Sequence, residues 1–113
     1  MYTLNCKGRL LVLDKPVVMG ILNITPDSFY SGSRIEQREV LQKAGQMIEE
    51  GATILDIGGQ STRPGSDRLT AAEELNRVLP AIKRIKENYP SVFLSIDTYH
   101  ATVAKETVAA GVD

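Results

Sequence analysis

The chain has little of what would build a disulfide framework, a sulfur-based metal site or a membrane anchor. Cys6 is the only cysteine, so neither an intrachain disulfide nor a cysteine metal cluster can form. No uninterrupted apolar run approaches the roughly 20 residues that span a bilayer, and the N-terminus does not have the layout of a signal peptide. These absences predict a cytoplasmic protein with no membrane partner.

An excess of either charge is also missing. Thirteen Lys and Arg residues stand against fourteen Asp and Glu residues, which gives a formal net charge of -1. A chain without an overall basic field does not attract nucleic-acid phosphates or anionic lipids, so we expect no nucleic-acid partner. Any bound anion therefore has to be held by a local group of side chains.

What the chain does have is a repeated pairing of a short apolar run with an amphipathic helix pattern. The apolar runs start at about residues 17, 53 and 92, and they end at the polar residues Asn23, Asp56 and Asp97. Such βα units, with polar groups at the C-terminal ends of parallel strands, build the active site of a (β/α)8 barrel. We therefore predict an α/β fold made of the N-terminal βα units of a TIM barrel.

Residues 2–13 precede the first unit and predict a β-hairpin that turns at Lys7-Gly8 and covers the floor of the barrel. A whole barrel takes roughly 250 residues, whereas this chain has 113. Because only about three of the eight units fit, we expect residues 1–113 to be one incomplete barrel domain of a larger protein.

The second helix carries two local features that predict its course. Thr70 and Glu73 have the spacing of a capping box, in which each side chain bonds the backbone of the other residue. Pro80 lies inside the helix pattern and removes one backbone donor, so it is expected to bend the helix. A break into two pieces is the alternative.

The loop after the first strand, residues 23–33, is rich in small side chains with oxygen atoms, among them Asn23 and Asp27. Oxygen ligands suit a hard cation such as Mg2+, which retains waters while it bridges to a phosphate. Phe29 adds an aromatic ring that costs solvation free energy unless it packs on something, and a flat ligand is one candidate. A mobile surface loop made of turn residues is the alternative interpretation.

The second loop, residues 56–67, has the composition of an anion site. Gly58-Gly59 allows close approach of the backbone, Ser61 and Thr62 offer hydroxyls, and Arg63 presents a planar fork suited to phosphate. Pro64 fixes the turn that follows. The loop is not a P-loop, because the G-x-x-x-x-G-K-[ST] pattern is missing. A solvated arginine in an ordinary glycine-rich loop is the alternative.

The third loop starts at Asp97, the last residue of a buried strand. A carboxylate in that position either points into the barrel mouth to bind a ligand or caps the next helix. Asp56 is not assigned to either face of its strand, since strand residues alternate between the barrel interior and the helix layer. His100, the only histidine, is expected to be a surface residue at a helix start.

At these loops the sequence resembles a known family. The segments MGILNITPDSF (19–29), DIGGQSTRPG (56–65) and SIDT (95–98) are similar, in order and spacing, to the three leading motifs of dihydropteroate synthase. The resemblance covers essentially the whole chain. It implies a (β/α)8 barrel that condenses 6-hydroxymethyl-7,8-dihydropterin diphosphate with p-aminobenzoate, giving dihydropteroate and pyrophosphate in folate synthesis. Sulfonamides occupy the aminobenzoate pocket of this family.

For the diphosphate end of the reaction, the resemblance implies a metal site and two catalytic residues. Asn23 would help to hold Mg2+ with the pyrophosphate, and Asp27 would support the metal and the departing anion. Arg63 would stabilise charge on the departing pyrophosphate, and Thr62 would contact the substrate beside it. Asp27 and Arg63 are therefore the expected catalytic residues.

For the two ring systems, the resemblance implies contacts from all three loops. Phe29 would cover the aminobenzoate ring, with Ser61 and Pro64 shaping that side of the pocket. Asp97 would bind the pterin ring, whose N–H groups match a carboxylate that only accepts hydrogen bonds.

The resemblance also sets limits on what this chain does alone. Gln60 stands where many relatives have glutamate, and the family's later site residues lie beyond Asp113. We therefore expect the 113-residue chain to be inactive by itself, with activity in a full-length homodimer or in a barrel completed by a second chain. The alternatives are a non-catalytic fragment or relative of the pterin-binding barrels, and a methyltetrahydrofolate-dependent methyltransferase.

Overall fold

The computed structural model describes residues 1–24, 34–59 and 69–113. From Val18 onward strands alternate with helices, and in these ranges no helix is long and apolar enough to cross a membrane. The helices are α1 (Arg34–Glu49), α2 (Ala71–Asn88) and α3 (Ala101–Ala110). The strands are β1 (Tyr2–Cys6), β2 (Arg9–Leu13), β3 (Val18–Asn23), β4 (Ala52–Gly58) and β5 (Phe93–Asp97).

β1 and β2 form an antiparallel hairpin, as the sequence predicts. The turn is Lys7-Gly8, and both residues have a positive φ, of 58° and 86°. Two consecutive positive φ values are typical of a type I′ turn, whose twist matches that of the two strands. The Asn5 side chain supports this turn, because its Oδ1 accepts a hydrogen bond from the Gly8 N–H at 2.7 Å.

β3, β4 and β5 form a parallel sheet in that order, and the three described helices pack on the same face of it. On the opposite face Met19 is 50% exposed and Ile21 is 60% exposed. A doubly wound sheet has helices on both faces, whereas a barrel wall has helices outside and strand side chains inside. The structure is therefore one wall of the predicted barrel. Its core contains Leu22, Leu55, Ile57, Leu94, Ala44, Val78, Ala81, Ile82, Ile85 and Val103.

α2 is a single continuous helix, so the alternative of a break at Pro80 is wrong. The helix begins in the predicted capping box, in which Thr70 Oγ1 accepts from the Glu73 N–H at 3.1 Å. A proline inside a helix costs about 3 kcal/mol. Ile82 and Ile85 are fully buried, and burial of each such side chain contributes about 1.5–3 kcal/mol. Packing on the sheet therefore offsets the lost backbone bond.

The hairpin is fixed against the N-terminal end of β5. Arg9 Nη1 donates to the Ser91 carbonyl at 2.8 Å, and the guanidinium carbon lies 3.6 Å from the centre of the Phe93 ring. Such a cation–π contact is attractive because the ring face is electron-rich. Lys7 Nζ donates to the Val108 carbonyl at 2.7 Å. The hairpin therefore lies at the end of the sheet opposite to the strand C-termini, on the side of the predicted barrel floor.

Asp113 links the hairpin, α2 and β5. Its Oδ2 accepts hydrogen bonds from Arg9 Nη2 at 2.9 Å, Lys86 Nζ at 3.0 Å and the Leu94 N–H at 3.0 Å. Burial raises the pKa of the carboxyl, but the bonds from Leu94, Lys86 and Arg9 outweigh it, so the pKa lies below its usual value of 3.8. A carboxyl with a depressed pKa in the folded state stabilises the fold in its charged form.

Replacing Asp113 with asparagine is expected to lower the free energy of unfolding at pH 7 by about 1–3 kcal/mol, because charge-assisted hydrogen bonds are lost. The contribution of Asp113 is fully present above the unfolded pKa and is lost as the pH falls through the lower folded pKa. Urea unfolding at pH 7 and at about pH 3 measures this difference. Glu106→Gln, a change of an exposed carboxylate on α3, is the control. An Asp113→Asn deficit of the same size at both pH values would contradict the assignment.

Candidate active site at the carboxyl ends of the strands

Asn23, Gly58 and Asp97 form a row across the C-terminal ends of the three parallel strands, here called the strand-end row. The register pairs Asn23 with Gly58 and Gly58 with Asp97, so residues from distant parts of the sequence lie side by side. A β-carbon on Gly58 would lie 3.7 Å from Asn23 Oδ1 and 3.8 Å from Asp97 Cβ. Because Gly58 has no side chain, the described residues leave room between the amide and the carboxylate.

The first two loops begin next to each other at this row. The Ile24 N–H donates to the Gly58 carbonyl at 2.8 Å, which joins the start of the first loop to the end of β4. Gly59 follows, and its carbonyl accepts from Arg77 Nη1 of α2 at 3.0 Å. Both loops therefore begin side by side at the C-terminal ends of the strands.

Gly59 points away from the strand-end row, toward α2. A β-carbon there would lie 3.0 Å from Val78 Cγ1 and 3.3 Å from Glu74 Cγ. These distances are tighter than ordinary van der Waals contact, so only glycine lets α2 approach the end of β4 this closely. The two adjacent glycines therefore face opposite ways: Gly58 lies in the strand-end row, and Gly59 lies where α2 packs against the end of β4.

Asp97 is exposed at the end of β5. Within the described residues its side chain takes part in no hydrogen bond or ion pair, so its oxygens are available to a ligand that donates N–H groups. The alternative that Asp97 caps α3 is not seen. The N-cap residue of α3 is His100, and its backbone N–H donates to Thr98 Oγ1 at 3.1 Å.

Asp56 lies on the same face as the strand-end row, two residues before Gly58. The register aligns it with Ile21 and Ser95, and Ser95 Oγ donates to Asp56 Oδ1 at 2.7 Å. This resolves the face of Asp56, which the sequence left open: its side chain is on the barrel-interior side. No role was predicted for Ser95 from the sequence, although it is the first residue of the SIDT segment (95–98).

His100 is at the start of α3, as predicted, but it is half-buried and not a surface residue. Its Nε2 lies 2.9 Å from the Leu69 carbonyl, which can only accept, so this ring nitrogen carries the proton. The ring also lies against Tyr99, with 4.5 Å between the ring centres. These contacts give His100 a structural role in joining α3 to the segment before α2.

Several predicted site residues cannot be placed. Their roles in binding the diphosphate, the metal and the aminobenzoate ring stay predictions of the sequence. The residues that lie outside the described ranges are Asp27, Phe29, Ser61, Thr62, Arg63 and Pro64.

The donor set for Mg2+ is small in this part of the chain. Among the described residues no group of three His, Cys, Asp or Glu side chains could hold a metal ion. Asn23 presents its side-chain oxygen at the open strand-end row. One protein oxygen beside substrate phosphates and retained waters is a typical Mg2+ environment, because this ion is seldom enclosed by protein ligands alone. The residues present therefore fit Mg2+ that arrives with a phosphorylated ligand.

Comparison with known proteins finds relatives of this chain. A family model described as "Pterin binding enzyme" matches residues 19–113. Dihydropteroate synthase of Streptococcus pyogenes serotype M18 is 47% identical over 107 residues, which are 94% of this chain and 40% of that protein. The folic acid synthesis protein fol1 of Schizosaccharomyces pombe is 48% identical over 100 residues, covering 88% of this chain and 14% of that protein.

A solved structure has the same fold. The dihydropteroate synthase of Xanthomonas albilineans, in a structure with 4-aminobenzoic acid, superposes with a TM-score of 0.86 at 45% sequence identity. The match covers 97% of this chain and 41% of that chain. The prediction of an incomplete barrel is thereby confirmed, because the chain spans about two fifths of the bacterial proteins that it matches.

Proposed function

The chain belongs to the family of pterin-binding enzymes, and from this we propose that it is the N-terminal portion of a dihydropteroate synthase. The proposed reaction joins 6-hydroxymethyl-7,8-dihydropterin diphosphate to p-aminobenzoate and releases pyrophosphate. The observation that carries the proposal is the strand-end row, in which an amide oxygen and a carboxylate that has no partner among the described residues lie on either side of Gly58.

Asp97 is proposed to bind the pterin ring. The pterin presents neighbouring N–H groups, and the Asp97 carboxylate, which has no partner in the part of the chain that the structure describes, can accept from them. The position at the carboxyl end of a barrel strand is also where barrel enzymes hold their ligands. The carboxylate thereby fixes the plane of the ring and the direction of its methylene carbon.

Asn23 and the first two loops, residues 23–33 and 56–67, are proposed to bind the diphosphate. Asn23 would contribute one oxygen to Mg2+, which when bound would neutralise negative charge on the diphosphate. Arg63 and Thr62 would bind the same anion through the guanidinium fork and the hydroxyl, and Asp27 would support the metal side. Phe29, Ser61 and Pro64 would form the aminobenzoate side of the pocket.

The reaction needs no nucleophile from the protein. The bond between the pterin methylene carbon and the diphosphate oxygen breaks, and the electron pair leaves with pyrophosphate. The amine nitrogen of p-aminobenzoate forms the new bond to that carbon and loses one proton. Holding both substrates in reacting geometry and stabilising charge on the leaving group therefore account for the rate.

The test is an assay of the full-length protein that contains these residues. With the pterin diphosphate, p-aminobenzoate and Mg2+, we expect dihydropteroate and pyrophosphate in equal amounts, measured by mass spectrometry and by a phosphate-coupled assay. Omission of p-aminobenzoate should abolish the first product. A folded full-length protein that yields no dihydropteroate would overturn the proposal, as would pyrophosphate release that does not depend on p-aminobenzoate.

A homodimer, a cytoplasmic location and sensitivity to sulfonamides are expected to accompany this function. A dihydropteroate synthase of Yersinia pestis has been solved with a sulfonamide drug, which supports the last of these. Sulfonamides resemble p-aminobenzoate in shape and charge, so inhibition should be competitive with that substrate.

A further inference from the structure

Glu74 is a carboxylate buried at the start of α2, beside the end of β4. Its side chain is fully buried, and its Cγ lies 3.3 Å from where a β-carbon on Gly59 would be. In the described part of the chain its Oε1 has no hydrogen-bond partner. A carboxylate is costly to bury without full pairing, and an apolar side chain of similar size would avoid that cost. Packing alone therefore does not explain why residue 74 is a glutamate.

Among the described residues, the one hydrogen bond of the Glu74 side chain leads directly to the candidate site. Its Oε2 accepts from Thr98 Oγ1 at 2.9 Å. Thr98 Oγ1 also accepts from the His100 N–H at 3.1 Å, so this hydroxyl uses its proton for Glu74 and a lone pair for the start of α3. Thr98 directly follows Asp97 in the chain. The backbone that carries the Asp97 side chain is thus held by Glu74.

The orientation of Asp97 depends on this hydrogen bond of Thr98, because the described residues hold the Asp97 side chain by no direct bond. No hydrogen bond or ion pair reaches its side chain from the described residues. In contrast, Asp56 on the same face is held by the Ser95 hydroxyl. A ligand-binding carboxylate with no direct partner keeps its direction only if the adjoining backbone is fixed, since small displacements of a binding group cause large losses of affinity.

We propose that Glu74 is a positioning residue, which acts through the Thr98 hydroxyl to hold Asp97 in the orientation that binds the pterin. The inference rests on the proposed function. α2 is also tied to the end of β4, because Arg77 of this helix donates to the Gly59 carbonyl and the Glu74 side chain packs close to Gly59. The first turns of α2 thereby set the relative positions of the ends of β4 and β5.

The test compares Thr98→Val with Thr98→Ser in the full-length protein. Valine has nearly the shape of threonine but removes the hydroxyl, whereas serine keeps it. We expect Thr98→Val to raise KM for the pterin diphosphate about tenfold, because a less well oriented Asp97 would lose part of its charge-assisted hydrogen bonding to the ring, with KM for p-aminobenzoate unchanged. Thr98→Ser should stay within about twofold of wild type for both substrates. Glu74→Gln, whose amide oxygen still accepts from Thr98, should behave like the serine variant.

A double-variant cycle with Glu74→Ala separates positioning from packing. If Glu74 acts through Thr98, then Glu74→Ala combined with Thr98→Val should raise the pterin KM no further than the worse single change. Multiplying effects, equal changes in both KM values, or a lower melting temperature with an unchanged pterin KM would each overturn the inference. An active wild type with these results leaves the proposed function intact. A wild type without turnover would overturn the proposed function and this inference with it.

Discussion

Replacing Asp97 with asparagine is expected to reduce kcat/KM for the pterin diphosphate about 100-fold or more in the full-length protein, with KM for p-aminobenzoate little changed. A carboxylate that accepts two N–H groups loses charge assistance on both bonds, each worth about 1.5–3 kcal/mol. The asparagine amide would also turn an N–H toward a donor of the ligand. Among the described residues no hydrogen bond or ion pair involves the Asp97 side chain, so the change should not alter folding.

The control is Glu106→Gln, which removes one negative charge from the exposed face of α3. Binding of a pterin to each variant, followed by fluorescence or calorimetry, shows whether the lost step is recognition of the ring. A melting temperature equal to that of wild type shows that the fold is intact. If Asp97→Asn binds the pterin as wild type does, then Asp97 is not the pterin-binding group, whatever happens to turnover.

Local sequence rules account for the elements of this structure well. The Lys7-Gly8 turn and the Thr70–Glu73 capping box each depend on a few neighbouring residues, so they can be predicted without knowledge of the fold. The strands are also visible because buried parallel strands are nearly continuous apolar runs. These rules do not predict the register of the three parallel strands. It is this register that places Asn23, Gly58 and Asp97 side by side.

Pro80 shows how tertiary packing overrides a local rule. The sequence indicates a bend or a break at this position, because a proline removes a backbone donor and crowds the preceding turn. The helix continues from Ala71 to Asn88 without a break, while the bend stays a prediction. The outcome depends on how much apolar surface α2 buries against the sheet, a quantity fixed only when the neighbouring strands and helices are in place.

Glu74 is the residue that the sequence could have indicated but that was not singled out. It occupies a position at helical spacing with Val78, Ile82 and Ile85, so it is a charged residue on the buried face of an amphipathic helix. That pattern predicts a buried carboxylate with a specific partner. The identity of the partner, Thr98, follows from the packing of α2 beside the end of β5 and has no local signal.

The adjacent glycines at the end of β4 should respond in opposite ways to the same added methyl group. Gly58→Ala is expected to leave the free energy of unfolding unchanged or to raise it by up to about 1 kcal/mol, since glycine is unfavourable in a strand. The β-carbon at this position would make only ordinary contacts, at 3.7 Å from Asn23 Oδ1 and 3.8 Å from Asp97 Cβ.

The same methyl group at Gly58 would occupy the space between Asn23 and Asp97, in which a ligand has to lie. An added methyl group in a closely packed space costs about 1–3 kcal/mol. The free energy of binding should weaken by this amount, so kcat/KM for the pterin diphosphate should fall about tenfold or more. Gly59→Ala is the matched control, because its methyl group would lie 3.0 Å from Val78 Cγ1 and outside the strand-end row. That variant should lose about 1–3 kcal/mol of stability.

Thermal unfolding and steady-state kinetics of the two variants together test the assignment of the two faces. Gly58→Ala should melt like wild type and turn over slowly, whereas Gly59→Ala should melt earlier. At a temperature where it is fully folded, Gly59→Ala should also keep the larger share of its affinity for the pterin substrate. Strand side chains alternate between the two faces of a sheet, and the step from Gly58, the last residue of β4, to Gly59 likewise exchanges a binding surface for a packing surface. The reverse pattern would mean that the ligand does not lie over Gly58.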